Sequence, residues 1–477
     1  MPGSLRERWI REGGYGELLT LAIPLILSTG AWSVQHFVDR MFLTWYSPEA
    51  IAAAMPAGIL NFTLMSFFLG TAGYVNTFVA QYYGAQRYER IGPAVWQGVY
   101  VALIGAVLIA ATIPLAPGFF RLVGHERTVR LYEVSYYQIL CVGAFPGIAA
   151  SAFAGFFTGR GNVWPVMWAN VLATAVNLVL DYALVFGNWG FPRWGVRGAA
   201  IATVLAGLFA VLFYLAMLAR ASCRRRFNTL GSWRFDRELF GRLVHFGVPN
   251  GVQFFLDIFG FTAFLLFVGR LGTVPLAATN IAFNINTLAF MPMLGFGIAI
   301  SVLVGQRLGE NRPDLAERSV WSGFHLTFAY MASIALLYVV VPGIFLKPFA
   351  AQSDPAAFRP IAQLTRVLLR FVALYSLFDT MNIVFASAIK GAGDTRFVMR
   401  LIVVVSIFVF VLPVFVAVTW LGAGIYTVWT IASLYISTLG VAFLLRFLGG
   451  KWKSMRVIEE PVPAPAAVSL PEMPSVE

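Results

Sequence analysis

The chain has 477 residues, of which 59% are hydrophobic and only 12% are charged, with 34 basic side chains against 22 acidic ones. Soluble domains carry about 25% charged residues, and a water-soluble globule of this length has too little interior to hide so much apolar surface. The composition therefore excludes most soluble folds, disordered or collagen-like chains and disulfide-rich secreted scaffolds, and it predicts a polytopic membrane protein.

Apolar runs of about 20 residues, each able to cross the ~30 Å hydrocarbon core of a bilayer, recur along the chain. Only helices or closed barrels satisfy the backbone in lipid, and strand-like alternation is absent, so each run predicts a membrane-spanning helix. The first run is too long for a signal peptide and lacks a cleavage site, so we expect it to be retained. Twelve spans are expected, at 17–45, 51–82, 93–116, 131–158, 164–187, 197–219, 239–269, 275–306, 318–346, 361–389, 397–419 and 423–448.

The distribution of Lys and Arg predicts that both termini are cytoplasmic. With that orientation, 23 basic residues fall in cytoplasmic segments and 8 in outer loops. The basic excess then marks topology and contact with anionic membrane lipids, and no nucleic-acid partner is expected. The expected organisation is a cytoplasmic N-terminus at 1–16, an N-lobe at 17–219, a cytoplasmic linker at 220–238, a C-lobe at 239–448 and a disordered, proline-rich cytoplasmic tail at 449–477.

The two halves of the chain match each other at an offset of 225 residues, which becomes 232 after an outer loop of the second half. Aligned pairs include Pro24 with Pro249, Asn61 with Asn286, Gln81 with Gln306, Gly84 with Gly309, and Gly161 with Gly393. The sequence thus predicts two six-helix bundles in the same membrane orientation. Such a repeat is typical of transporters with a pathway between the halves. The alternative is an old duplication that serves packing alone.

Four carboxylates lie deep in apolar spans: Asp39, Asp181, Asp257 and Asp379. Each costs roughly 2.5–3.5 kcal/mol at a helix centre on insertion scales, so a functional use is the default interpretation. None of the four aligns with an acid in the other half of the repeat. The two bundles are therefore expected to hold different sites.

In the first half, Asn177 and Asp181 are four residues apart and share one helix face. Ala199 and Thr203 repeat that spacing on the following helix, and Asp39 comes from the first helix. These residues offer the all-oxygen shell that a hard cation such as Na⁺ prefers, or a carboxyl pair that binds a proton. The alternative is that Asn177 and Thr203 only make interhelical hydrogen bonds.

In the second half, two helices each carry a polar residue four positions before an acid. The pairs are Tyr375 with Asp379 and Gln253 with Asp257, and Phe290 lies on the helix between them in sequence. Carboxylates with aromatic walls suit a lipophilic cation, and a coupling-ion site fits equally well.

Other patterns carry less weight. Residues 391–394 read Gly-Ala-Gly-Asp, as in intramembrane aspartyl proteases, but Asp394 aligns with Asn162 in the repeat and is expected to be a helix N-cap. The four histidines show no metal spacing, and no nucleotide-binding pattern is present. The chain is therefore not expected to be an enzyme.

Together these residues resemble the multidrug and toxic compound extrusion (MATE) family, and its NorM-like members in particular. The resemblance covers residues 17–448 and rests on four segments. They are Val38-Asp39-Arg40, close to a family "VDT" pattern; Asn177–Tyr182 with the following Gly195–Thr203; Phe255-Leu-Asp257 with Gly269–Thr273, similar to the family's seventh helix; and Lys390-Gly-Ala-Gly-Asp-Thr395, which matches a "GAGDT" signature.

The resemblance implies twelve helices in two V-arranged lobes around a cavity, with no cofactor and with drugs or toxins exported by alternating access in exchange for Na⁺ or H⁺. The implied protein is a monomer of the cell inner membrane. Its implied sites are Asp39, Asn177, Asp181 and Thr203 with the Ala199 carbonyl in the N-lobe, and Asp257, Tyr375 and Asp379 with Phe290 in the C-lobe. The main alternative is a flippase for a lipid-linked saccharide precursor, from a related superfamily.

Overall fold

The computed structural model describes residues 5–350 and 355–459. Within these ranges, eleven helices are long and apolar enough to cross a membrane. The paired helices Arg127–Val142 and Ala144–Gly159, bent by 43°, make a twelfth span. The described chain contains no strand. The prediction of an all-α membrane protein with twelve spans is confirmed.

The twelve spans are numbered here α1 to α12 in chain order. They are α1 Tyr15–Tyr46, α2 Pro48–Gly84, α3 Tyr88–Val123, α4 Arg127–Val142 with Ala144–Gly159, α5 Trp164–Phe186, α6 Val196–Leu218, α7 Arg237–Gly269, α8 Thr273–Gly309, α9 Pro313–Val340, α10 Pro355–Ala392, α11 Thr395–Thr419 and α12 Ile425–Leu448. Short helices occupy Leu5–Ile10, Ala221–Phe227, Pro342–Ala350 and Lys451–Ser454.

Two six-helix lobes, α1–α6 and α7–α12, exchange the beginnings of their first helices. Leu18 at the start of α1 packs in an apolar cluster built mainly by α8–α12, whereas Leu43 near its end packs in the core of the first lobe. Leu243 at the start of α7 packs in that same first-lobe core. Leu18 and Leu243 are 225 positions apart, so the exchange follows the internal repeat.

Each exchanged helix carries a proline just after its crossing segment, Pro24 in α1 and Pro249 in α7. A proline inside a helix removes one backbone hydrogen bond and weakens the helix locally. Both α1 and α7 therefore have a built-in point where the crossing segment can move relative to the rest of the helix.

The end of the bundle where α1 begins and α12 ends is called here the terminal end, and the opposite end is the far end. Between the lobes, α2 meets α7 where Asn250 donates to the Gly70 carbonyl at 2.7 Å, and α1 meets α8 where Thr29 donates to the Met291 carbonyl at 3.4 Å. The interlobe contacts described below lie nearer the terminal end.

The prediction that all of 449–477 forms a disordered tail is wrong for residues 450–459. Trp452 is buried and stacks on Phe447 with ring centroids 5.0 Å apart. Val457 is also buried, in the apolar core of the first lobe. The prolines of the predicted tail all lie at 461–474, beyond this segment, which is ordered by packing against both lobes. The rest of the predicted tail, 460–477, lies outside the described residues.

Candidate cation and substrate sites

The N-lobe candidate site is a fully enclosed group of polar side chains. Asp39 on α1 is 8% exposed, and Asn177 and Asp181 on α5 are 0% exposed. α1 and α5 pack along each other, with Asn170 donating to the Ser28 hydroxyl at 2.5 Å. The structure therefore brings together the three N-lobe residues on which the sequence prediction depends.

Several polar atoms of this group have no hydrogen-bond partner. They are Oδ1 of Asp39, both carboxyl oxygens of Asp181, and both amide atoms of Asn177. The Asp39 and Asp181 carboxyl groups lie within hydrogen-bond reach of each other, but such a bond requires a proton on one of them. A buried polar atom left without a partner costs about 1–3 kcal/mol, and more if charged. A bound proton or cation would satisfy the oxygens of this group, whereas the Asn177 Nδ2 donor needs an acceptor.

The other two predicted N-lobe residues lie on α6, which packs against α5. The Thr203 hydroxyl donates to the Ala199 carbonyl at 3.0 Å, as serines and threonines in helices commonly do. This bond engages the two oxygens that the resemblance assigned to the cation. Tyr136 on α4, which the sequence did not single out, is buried and interacts electrostatically with Asp39 and Asp181.

Two of the C-lobe candidate residues, Tyr375 and Asp379, lie one turn apart on α10. Tyr375 is buried, and its hydroxyl accepts a hydrogen bond from the Asn286 amide at 3.3 Å. Asp379, one turn further along, is half-buried and accepts from Asn382 at 3.0 Å. Sequence reasoning missed Asn286 and Asn382 as site residues, although the repeat had aligned Asn286 with Asn61.

Asp257 is the only one of the four deep acids that is exposed. It follows Phe254 by one turn on α7, and the Phe254 ring contacts Phe62 of the other lobe at a centroid distance of 6.1 Å. Asp257 therefore lies where the lobes begin to diverge and faces the space between them. Gln253, one turn before it, has a buried carbonyl oxygen without a partner. Phe290 packs half-buried against the apolar C-lobe core.

A lysine completes the electrostatics of the C-lobe group. Lys390, near the end of α10, is half-buried and interacts electrostatically with Asp257. Asp257 also interacts electrostatically with Asp379. The sequence prediction had placed Lys390 in a cytoplasmic loop. The C-lobe group thus combines two carboxylates and an ammonium beside an accessible space, whereas the N-lobe group is a closed pair of carboxyls with an amide.

A further buried acid, Glu133, escaped the sequence prediction. Glu133 on α4 is 0% exposed and bonds to Nδ1 of His125 at 2.7 Å, while its second carboxyl oxygen has no partner. It lies one turn nearer the far end than Tyr136. Its position in the first turn of the expected span 131–158 made it look like a loop acid.

Asp394 does not act as a side-chain cap. It occupies the predicted N-cap position of α11, but its side chain makes no capping hydrogen bond and instead accepts two from Arg446, at 2.8 and 2.6 Å. The expectation of a capping side chain is therefore wrong, because a nearby guanidinium offers a stronger, charge-assisted partner than a backbone N–H. An ion-paired Asp394 is a structural acid.

Two six-helix lobes related by an internal repeat, with acidic side chains inside the spans of each, are typical of membrane transporters. The family model described as MatE matches the chain twice, over residues 24–183 and 249–417. The chain belongs to the MatE family, which makes it a transporter and not an enzyme, and the two matches coincide with the two lobes.

Named relatives and solved structures agree with this assignment. A "Probable multidrug resistance protein NorM" of Bradyrhizobium diazoefficiens is 28% identical over 80% of this chain and 81% of its own length. A protein of the same description from Thermotoga maritima is 25% identical over 93% and 94% of the two chains.

Among solved structures, one described as the outward-facing conformation of a multidrug resistance MATE family transporter of the MOP superfamily has a TM-score of 0.83 at 19% identity. It covers 95% of this chain and 100% of that one. The eukaryotic MATE transporter AtDTX14 has a TM-score of 0.81 at 16% identity, over 92% and 96% of the two chains. These structures show the same fold.

Proposed function

We propose that this protein is a Na⁺- or H⁺-coupled antiporter that exports lipophilic, often cationic, small molecules. The observation that carries the proposal is the set of partnerless buried atoms on Asp39, Asn177 and Asp181. In this proposal the group binds and releases a cation, because a bound proton or ion satisfies its partnerless oxygens. The names of the NorM relatives supply the substrate class.

The residues present fit either coupling ion. Two carboxylates and an amide carbonyl give the hard oxygen ligands that Na⁺ takes in proteins. Two carboxyl groups within hydrogen-bond reach also hold one proton well, because their mutual repulsion disfavours the doubly charged state. Either ion neutralises the same buried charge, so both support the same coupling scheme.

In the proposed cycle, both termini are cytoplasmic in a cell inner membrane, so the far end faces outside and the state with a closed terminal end is the outward-open one. A cation entering from outside neutralises the Asp39–Asp181 pair and permits α1 to rearrange near Pro24. Drug leaves from the space beside Asp257, and the lobes then reopen toward the terminal end. One charge moving down 100 mV supplies about 2.3 kcal/mol, roughly fifty-fold in concentration.

The test is transport of ethidium in proteoliposomes under a Na⁺ gradient and a pH gradient imposed separately. We expect efflux under at least one gradient, its loss in Asp39→Asn, and its retention in Glu49→Gln, which changes an exposed acid at the far end. Undiminished gradient-driven efflux by Asp39→Asn would show that the N-lobe pair is not the coupling site.

The lipid-precursor flippase is a weaker candidate. An anionic pyrophosphate or phosphate headgroup calls for basic side chains in the central space, where the structure places Asp257 and Asp379 with a single lysine, Lys390. Absence of ethidium transport under both gradients, together with movement of a fluorescent lipid precursor, would favour the flippase. We further propose that the protein acts as a monomer, since each chain holds both lobes and both sites.

A further inference from the structure

A reciprocal pair of glutamines joins the lobes at the terminal end. The side-chain amide of Gln81, on α2, donates to the Gly391 carbonyl at 3.0 Å. The amide of Gln306, on α8, donates to the Gly159 carbonyl at 2.8 Å. Gln81 and Gln306 are repeat counterparts, and so are Gly159 and Gly391. Each lobe thus holds the end of a helix of the other lobe, α10 or α4, through the same interaction.

This glutamine clamp closes on a backbone-to-backbone contact between α2 and α8. A Cβ added at Gly84 would lie 2.0 Å from the carbonyl oxygen of Gln306, and one added at Gly309 would lie 2.3 Å from that of Gln81. Only glycine leaves room for such an approach. The terminal end is therefore closed by a pseudo-symmetric contact between the lobes, and the two halves of this contact must separate together.

Residues 450–459, called here the C-terminal strap, break this symmetry. The backbone N–H of Val457 donates to Oε1 of Gln81 at 2.8 Å. Within the part of the chain that the structure describes, no equivalent bond reaches the side-chain oxygen of Gln306. Gln81 is thus hydrogen-bonded both to the opposite lobe and to the strap, whereas Gln306 is hydrogen-bonded to the opposite lobe only.

The strap is anchored on both sides of the seam between the lobes. On the C-lobe side it continues from α12, and Lys453 pairs with Glu317 of α9 at 2.6 Å. On the other side, the Glu459 carboxylate pairs with Arg87 at 2.7 Å and Arg90 at 3.0 Å.

Three further hydrogen bonds hold the distal part of the strap. The Val457 carbonyl accepts two hydrogen bonds from Arg242, at 2.6 and 3.0 Å, and the Tyr82 hydroxyl donates to Glu459 at 2.6 Å. Burial alone would raise the pKa of Glu459, but the Tyr82 hydrogen bond and the charges of Arg90 and Arg87 outweigh it and hold that pKa below its usual range. The Glu459 anchor is therefore ionised at neutral pH.

We propose that the C-terminal strap is a latch that stabilises the closed terminal end, and that it acts through Gln81. The strap must detach from Gln81, Arg242, Arg87 and Arg90 before the lobes separate there. Its sequence thereby sets the balance between the outward-open and inward-open states. The inference rests on the proposed alternating access, in which the terminal end opens once in each cycle.

The test measures opening of the terminal end directly by electron–electron double resonance in nanodiscs. Nitroxide labels are placed at Glu89→Cys and Asp314→Cys, exposed repeat counterparts at the terminal end, after replacing the native Cys141 and Cys223 by alanine. Three chains are compared: the full-length protein, one truncated after Glu459 and one truncated after Ser454. The truncation after Glu459 is the matched control, because it removes the following residues and keeps the strap.

We expect the chain ending at Ser454 to populate a longer distance, with the ratio of open to closed molecules raised at least about tenfold. The chain ending at Glu459 should match the full-length protein. Identical distance distributions in all three chains would overturn the latch. Glu459→Gln, a milder change that keeps every backbone contact, should shift the distribution in the same direction by a smaller factor.

A double-mutant comparison tests the role of Gln81. Truncation after Ser454 should have a smaller effect in Gln81→Leu than in the unsubstituted chain, because the strap has already lost its partner. In Gln306→Leu, the repeat-related control, the truncation should keep its full effect. Equal coupling of both glutamines to the truncation would refute the assignment to Gln81.

These measurements separate the latch from the proposed function. Opening on truncation, in a protein that moves ethidium under neither gradient, would uphold the latch and overturn the antiporter. Gradient-driven transport together with unchanged label distances on truncation would uphold the antiporter and overturn the latch.

Discussion

A single methyl group at Gly84 is expected to hold the terminal end of the transporter open. In Gly84→Ala the new Cβ would lie 2.0 Å from the Gln306 carbonyl oxygen, a backbone atom that no rotamer change can move. Real Cβ atoms essentially never approach a heavy atom within 3.0 Å, so α2 and α8 must separate by at least about 1 Å.

That separation acts on both halves of the glutamine clamp. Hydrogen bonds of 3.0 Å from Gln81 and 2.8 Å from Gln306 pass beyond useful length when their partners move apart by 1 Å. At about 1 kcal/mol net for each bond, the closed state loses about 2 kcal/mol, which raises the ratio of open to closed molecules by about 30-fold. The lost packing adds to this figure.

The assay is the same distance measurement between labels at Glu89 and Asp314. Gly30→Ala on α1 is the control, because its Cβ meets nothing within 4 Å and it makes the same glycine-to-alanine change inside a helix. Gly84→Ala should show the longer distance as its main population, and Gly30→Ala should resemble the unsubstituted chain. Indistinguishable distributions for the two variants would refute the reasoning that this contact seals the terminal end.

Three further expectations concern charge. Asp181→Asn should abolish gradient-driven transport while raising the melting temperature in detergent, because it removes an unsatisfied buried charge; a fall in melting temperature would contradict this account of the site. Glu459→Gln should lower the melting temperature at pH 7 by the equivalent of about 1 kcal/mol. Since the folded-state pKa of Glu459 is lowered, that difference should stay constant above its ordinary pKa and vanish as the pH falls through the folded value. His125→Ala should destabilise the protein by about 1–3 kcal/mol by leaving both Glu133 oxygens without a partner, whereas Glu126→Ala in the same loop should not.

The membrane-spanning helices could be predicted because each apolar run must by itself be long enough to cross the bilayer. The exchange of the first turns of α1 and α7 between lobes could not, because Leu18 and Leu243 are apolar residues in apolar helices, and nothing local says which lobe they enter. The strap was missed for a related reason. Trp452 and Val457 have no periodicity of their own, and their order depends on a groove that exists only after both lobes have folded.

The candidate sites show the same division between local and long-range information. An acid in the middle of an apolar run is visible from the sequence alone, and Asp39 and Asp181 stand out for this reason. Glu133 and Lys390 lie near helix ends, where charges are ordinary, so only the fold shows that Glu133 is enclosed and that Lys390 approaches Asp257. Which residues form each cation site came from the family resemblance, since spacing along a helix gives faces and not the distances between helices.

The internal repeat relates the two halves of the interlobe contact at the terminal end, but it does not relate the candidate sites of the two lobes. The glutamines and glycines of the terminal seal recur at matching positions in both lobes, as expected for a contact that must close symmetrically. The buried acids do not recur: Asp39 and Asp181 belong to one lobe, and Asp257 and Asp379 to the other. In the proposed cycle, neutralising the enclosed N-lobe pair changes the energy of one lobe directly, and the contact at the terminal end couples that change to the other lobe. The strap adds an asymmetric hold on Gln81, so the energy needed to open the terminal end can be altered without changing either site.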